Sequence, residues 1–152
     1  MKKVFGVLGV LALIAIAGIG TVAYRGTALD HESRTFVNES LPRILDGWND
    51  EALIAIATPE LLHSASREDL DHVFATYMRL GRLLHYEPAT GQATMSYTTK
   101  NGSEVTGRYV ARAEFENGPA SISVLITKRQ EKWLIHGLQV NSKVLFQPDQ
   151  TR

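Results

Sequence analysis

The hydrophobic pattern divides the chain into three stretches with different periods. Residues 4–24 are uncharged and almost continuously apolar. From residue 30 to about residue 85, apolar residues recur at spacings of three and four, which is typical of amphipathic helices. After residue 88 they alternate every second position, which is typical of strands with one buried face. Helices followed by strands predict an α+β domain behind an apolar leader.

The apolar stretch 4–24 has the length of a membrane-spanning helix. About 20 apolar residues cross a hydrocarbon core of roughly 30 Å, and Lys2 and Lys3 in front of the stretch favour a cytoplasmic N-terminus. We therefore expect a single-pass protein of the cell (inner) membrane, attached through residues 4–24, with its domain on the extracytoplasmic side.

The alternative to an anchor is a cleaved signal peptide, which would leave a secreted or periplasmic domain. Ala15-Ile16-Ala17 and Thr21-Val22-Ala23 both have the small-x-small pattern of a cleavage site. The apolar stretch does not become polar after Ala17 but continues through Ile19, Val22 and Tyr24, and this favours the anchor.

The remaining chain has the size of one domain. We predict an N-terminal transmembrane anchor or signal peptide over 1–28, an α+β domain over 29–146 and a tail over 147–152. Lys plus Arg equals Asp plus Glu at 16 each, so no charge excess indicates a nucleic-acid partner. The absence of cysteine excludes disulfides and lipid attachment through an N-terminal cysteine.

Three helical segments are predicted before the sheet. The first covers Asp30 to Trp48, and Pro42 within it predicts a kink or a break. A second segment over 51–57 is capped by Asn49 or Asp50, with one more turn at 60–62. A third helix opens at Ser66 and ends near His85. Its predicted buried stripe comprises Leu70, Val73, Phe74, Tyr77, Leu80, Gly81 and Leu84.

The alternating segments after residue 88 are separated by short polar turns at 100–103, 117–119 and 130–132. Short turns between alternating strands predict an antiparallel meander. The alternation does not tell which set of residues faces the helices.

The strands and the front helices together resemble the nuclear-transport-factor-2-like (SnoaL-like or cystatin-like) superfamily. The segments that carry the resemblance are 47–53 (GWNDEAL), 113–118 (AEFENG), 122–124 (ISV) and 132–138 (KWLIHGL). The resemblance covers roughly residues 30–143 and implies a cone-shaped domain, in which a curved antiparallel sheet wraps a long helix. Members include ketosteroid isomerase, the SnoaL-like polyketide cyclases, proteins that only bind, and extracytoplasmic domains of single-pass bacterial membrane proteins such as type IV secretion assembly factors. Function therefore does not follow from the fold.

The cone shape implies a pocket at its wide end. Six aromatic residues are pocket-lining candidates, with simple core packing as the alternative for each: Phe36, Phe74, Tyr77, Tyr97, Tyr109 and Trp133. The family's isomerases use a tyrosine and two carboxylic acids, and its cyclases often use an Asp-His pair.

The catalytic candidates in this chain are Asp69, His72 and His136, and they form no specific motif. Asp69 and His72 lie three residues apart on one helix face, but the first-turn position of Asp69 already explains it as a cap. His136 lies in the middle of a strand. Arg108 and Arg112 share a strand face and suit an anion, unless they pair with Glu114 or Glu116.

Metal-ligand spacings and phosphate-binding loops are missing from the sequence, so we expect neither a metal nor a cofactor. Two functions stay open. The first is a non-enzymatic, membrane-anchored domain that binds a protein partner or a small apolar ligand. The second is a pocket enzyme of the isomerase or cyclase type. A homodimer formed through the open sheet face is a further possibility.

Overall fold

The computed structural model describes residues 28–98 and 102–146, and the side chains of residues 97 and 98 are not among the described parts. The predicted anchor 4–24 and the tail 147–152 lie outside these residues. The helices are α1 (28–45), α2 (Asp50–Ile54), α3 (Pro59–Ser64), α4 (Arg67–Tyr77), a 3₁₀ turn (Met78–Leu80) and α5 (Lys143–Phe146). The strands are β1 (Leu83–Thr98), β2 (Gly102–Phe115), β3 (Gly118–Arg129) and β4 (Lys132–Asn141).

The four strands form one antiparallel sheet in the order β1-β2-β3-β4. The α+β class and the meander are thereby confirmed. Within the described residues, no helix has both the length and the apolar composition needed to cross a bilayer.

Helix α1 passes through Pro42 without interruption, so of the kink or break expected there the break is wrong. Proline removes a single donor, and the helix keeps the bonds on either side of it: the Asp46 amide donates to the Pro42 carbonyl at 2.9 Å. The helix ends because Gly47 takes a φ of 71°, and the Asn49 amide then donates to the Ile44 carbonyl at 2.8 Å.

Side-chain caps begin the three short helices that follow. The Asn49 carboxamide accepts from the Ala52 amide at 3.0 Å, and the Thr58 hydroxyl accepts from the Leu61 amide at 3.2 Å. Ser66 and Asp69 form a reciprocal capping box at the start of α4. The predicted caps at Asn49 and Ser66 are confirmed.

The third predicted helix ends earlier than expected. Regular helix stops at Tyr77, and Gly81, with a φ of 80°, turns the chain into β1. A Cβ at this glycine would lie 2.8 Å from the Glu116 carboxylate, so both its conformation and its surroundings favour glycine. Val73 and Leu84 are 42% and 64% exposed, and their assignment to the buried stripe is therefore wrong.

The two faces of the sheet differ sharply. The inner face packs against α1 and is lined in the two central strands by Tyr109, Ala111, Ala113, Phe115, Ile122, Val124 and Ile126, all buried. The outer face carries the intervening residues of β2, among them Arg108, Val110 and Arg112, all exposed.

Other parts of the chain cover both edges of the sheet. At the β1 edge, Asp30 and Asn38 of α1 each accept a hydrogen bond from a strand amide at 2.8 Å, from Ala93 and Ala89 respectively. At the β4 edge, Ile135 exchanges backbone hydrogen bonds with residues 56 and 58. Covered edges resist pairing with other strands, whereas Arg108, Val110 and Arg112 on the outer face are exposed.

Candidate functional site

The space between α1 and the sheet is filled by side chains. Val37, Leu41 and Ile44 of α1 are between 0 and 1% exposed. Tyr109, a pocket-lining candidate, is 1% exposed, and its hydroxyl lies 2.6 Å from the Ser33 hydroxyl. Since Ser33 donates its own proton to the Leu29 carbonyl at 2.7 Å, the tyrosine is the donor of this pair.

Two other candidates, Phe74 and Tyr77, belong to an aromatic cluster around Trp48. The Trp48 ring stacks on Phe115 at 5.3 Å between centroids, with Tyr77 at 5.0 Å and Phe74 edge-on at 6.4 Å. The cluster closes the end of the core near the last turn of α1. Such packing gives these rings a structural role.

Of the remaining candidates, the structure describes the side chains of Phe36 and Trp133. Phe36 and Trp133 are partly buried against the core. The Trp133 indole donates to Glu32 at 3.3 Å, and the Lys128 ammonium lies 5.8 Å from the centre of its ring. The side chain of Tyr97 is outside the described parts.

The catalytic candidates do not converge. Asp69 accepts hydrogen bonds from the Ser66 hydroxyl at 2.6 Å and the Ser66 amide at 3.0 Å, and these bonds lower the pKa of its carboxyl. His72 is exposed on the same helix, and Asp69 and His72 together face solvent. Their arrangement is that of a helix cap beside a surface histidine.

His136 is placed on β4, beside the segment that covers the strand edge. Its Nδ1 lies 3.2 Å from the hydroxyl of Thr58, which is fully buried and caps α3. Because the Thr58 hydroxyl also accepts the Leu61 amide and is closed off from solvent, it is not available as a nucleophile. The histidine thus helps to hold α3 on the sheet.

Ion pairs that the sequence did not reveal fasten the helices to β3. Arg129 donates to both oxygens of Glu60, at 2.8 and 2.9 Å, and this bond is the main cause of the lowered pKa of Glu60. Lys128 donates to Glu32 at 2.7 Å, which raises the pKa of the lysine. Arg129 and Glu60 are 69 positions apart in the sequence, and Lys128 and Glu32 are 96 positions apart. At such separations the spacing of charged residues along the chain does not predict which of them form ion pairs.

The outer face of the sheet contains a depression, which we call the sheet hollow. It has a volume of about 480 Å³ and is open to solvent. The side chains around it are Arg108, Val110, Ser123, Leu125 and Gln139, with Gly137 at its floor. It exists because Gly137 presents no side chain opposite Leu125.

A second depression, the end groove, lies where β2 turns into β3. Its volume is about 530 Å³, and charges of both signs line it, including Glu87, Arg112, Glu114 and Lys143. Glu116 does not pair with Arg112, as one sequence interpretation had it; instead it binds Arg82, at 2.7 Å. Opposite Arg112 in the register stands Glu87.

Among the described residues, no group of three or more His, Cys, Asp or Glu side chains is placed to hold a metal ion. Comparisons with protein-family models, with curated proteins and with solved structures find no match to this chain.

Proposed function

We propose that this protein is a membrane-anchored, extracytoplasmic domain that works by binding a protein partner and not by catalysis. We also propose that the domain has the cone-shaped, nuclear-transport-factor-2-like fold that its sequence resembles. The observation that supports a binding role best is that buried side chains occupy the space between Tyr109 and α1. An enzyme of that fold would hold its substrate in this space.

The pocket-enzyme alternative has less support. General acid-base catalysis needs a titratable group within hydrogen-bond reach of the substrate. Tyr109 is bonded to Ser33 inside the core, Asp69 is bonded to Ser66, and His136 is bonded to Thr58. A substrate beside Tyr109 would have to displace part of α1.

The anchor is supported by the sequence of residues 4–24 and is tested with the full-length chain. A C-terminal epitope tag should stay in the membrane fraction after alkaline carbonate extraction, and protease added outside the inner membrane should remove it. Mass spectrometry of the purified chain should find the N-terminal segment intact. A mature N-terminus just after Ala17 or Ala23 would instead identify a cleaved signal peptide.

The binding role is tested by photo-crosslinking in the intact cell. A photoreactive amino acid replaces Val110 on the outer face or, as the matched control, Val73 on α4; the two are 44% and 42% exposed. We expect a discrete crosslinked protein from position 110 and none from position 73. Equal products from both positions, or none from position 110, would contradict a partner on the outer face. A crosslink to a second copy of the chain would identify a homodimer.

A further inference from the structure

We propose that the sheet hollow binds a segment of a partner protein that carries a carboxylate next to a large apolar side chain. This rests on the proposed function and deepens it by naming the chemistry of the partner. Its basis is that Arg108 borders an apolar depression on the face of the sheet that the helices leave open.

The charge of Arg108 is not balanced by its neighbours. In the strand register Arg108 lies between Gln92 of β1 and Leu125 of β3. The next residues on this face are uncharged as well: Thr90, Thr94, Thr106, Val110, Ser123 and Thr127. The ion pairs formed among the described residues do not include Arg108. An arginine in such a position is suited to a carboxylate, which it binds through two parallel N–H groups.

Arg112 provides an internal comparison. It lies on the same face of the same strand and is likewise exposed. In contrast to Arg108, it stands opposite Glu87 and lines a groove that also contains Glu114. A carboxylate from outside therefore meets local competition at Arg112 and none at Arg108.

The apolar part of the hollow adjoins this charge. Val110 is 44% exposed, and Leu125 is partly exposed beside it. A Cβ built on Gly137 would lie 3.6 Å from the Leu125 Cβ, an ordinary contact, so glycine here leaves room that another residue would fill. The volume of about 480 Å³ accommodates a large side chain.

The openness of the hollow favours a partner protein over a free small molecule. Sites for small ligands usually enclose about 70–90% of the ligand surface, which a depression on a sheet face cannot do. A side chain presented by a protein is held by the surrounding interface as well. The contacts around it exclude water, and a few aromatic or arginine anchors desolvated in this way often dominate such interfaces.

The test uses the full-length chain in detergent micelles, with backbone amide signals followed by NMR. The probe is the peptide acetyl-Gly-Phe-Asp-Gly-amide, and its matched control has Asn in place of Asp. We expect the Asp peptide to shift the amides of residues 108–110, 123–125 and 137–139, and the Asn peptide to bind about fivefold more weakly.

Three variants locate the site. Arg108→Gln should weaken binding of the Asp peptide about fivefold, whereas Arg112→Gln should leave it within about twofold. Gly137→Leu should abolish binding by filling the hollow, with an unfolding midpoint close to that of the unchanged chain.

Several outcomes would overturn the proposal. These are equal affinity for the Asp and Asn peptides, equal losses in Arg108→Gln and Arg112→Gln, and no shifts at about 10 mM peptide, where even millimolar contacts are visible. Free 3-phenylpropionate that binds here more tightly than the peptide would make the occupant a small carboxylate and the docking proposal wrong. The peptide titration depends only on the folded domain. A negative anchor or crosslinking experiment would therefore count against the proposed function, and a negative titration would count against the ligand chemistry proposed for the sheet hollow.

Discussion

The buried pair Ser33–Tyr109 allows a quantitative test of whether the core around α1 is permanently closed. Tyr109 donates to Ser33, and Ser33 donates onward to the Leu29 carbonyl. Replacing Tyr109 by Phe removes one donor but leaves the Ser33 hydroxyl with its carbonyl partner, so we expect a loss of about 1 kcal/mol in unfolding free energy. Replacing Ser33 by Ala leaves the buried tyrosine hydroxyl unpaired, which costs about 2 kcal/mol after a small gain in helix propensity.

The double variant distinguishes a true pair from two independent effects. With both hydroxyl groups removed, no buried donor is left without an acceptor, and we expect the unfolding free energy to fall by about 1–1.5 kcal/mol. Simple addition of the two single-variant losses would give about 3 kcal/mol. The assay is denaturant unfolding of the full-length chain, followed by the fluorescence of Trp48, which is buried in the aromatic cluster. Additive losses, or a larger loss for Tyr109→Phe than for Ser33→Ala, would refute the reasoning and reopen Tyr109 as a pocket residue.

Three further predictions concern stability. Gly91→Ala should destabilise the chain by about 2–4 kcal/mol because its Cβ would clash with the Arg108 carbonyl oxygen. Gly137→Ala, whose Cβ would make only an ordinary contact, should change stability by less than about 0.5 kcal/mol; equal melting curves for the two variants would contradict this. Ser66→Ala should cost about 1 kcal/mol in urea unfolding through loss of the α4 cap, and no change would count against a structural role for Asp69. Burial raises the pKa of Tyr86 to about 12, so its neutral form stabilises the folded state fully below pH 10, and this contribution is lost as pH rises towards 12. Between pH 9.5 and 11.5 the unfolding free energy of Tyr86→Phe should therefore fall by less than that of the unchanged chain. An equal fall in both would contradict the prediction.

Local signals in the sequence predicted the strands and caps well. The turns beside Asn117 and Gln130, the alternation along β2 and β3, and the caps Asn49 and Ser66 all depend on residues close together in the chain. The α+β class followed from the order of these elements. Of the kink or break expected at Pro42, the break is wrong because a single missing donor is tolerated in a helix whose Val37, Leu41, Ile44 and Leu45 are buried in the core.

Features that depend on distant residues were not predictable. Gly81 turns the chain from the 3₁₀ turn into β1 because of its conformation and because a Cβ there would meet Glu116. Glu116 is 35 positions away in the chain and is joined to Arg82, the neighbour of Gly81. The sheet hollow depends on Gly137 standing opposite Leu125, a pairing set by the bulge in β4. An isolated glycine in a strand predicts a bulge or close approach, but it does not predict which side chain lies across from it.

The first turns of α1 have a mechanical consequence. Asp30 is bonded to β1, Ser33 to β2, and Glu32 to both Lys128 of β3 and Trp133 of β4. Four strands are thus joined to one helical segment that begins only a few residues after the apolar stretch 4–24. A force applied at residue 28 would be distributed over all four strands instead of detaching a single strand. Helix α1 therefore acts as a rigid attachment for the domain and not as a flexible linker. Single-molecule pulling from the N-terminus should therefore show one cooperative rupture, and substitution of Glu32 by Gln should lower its force.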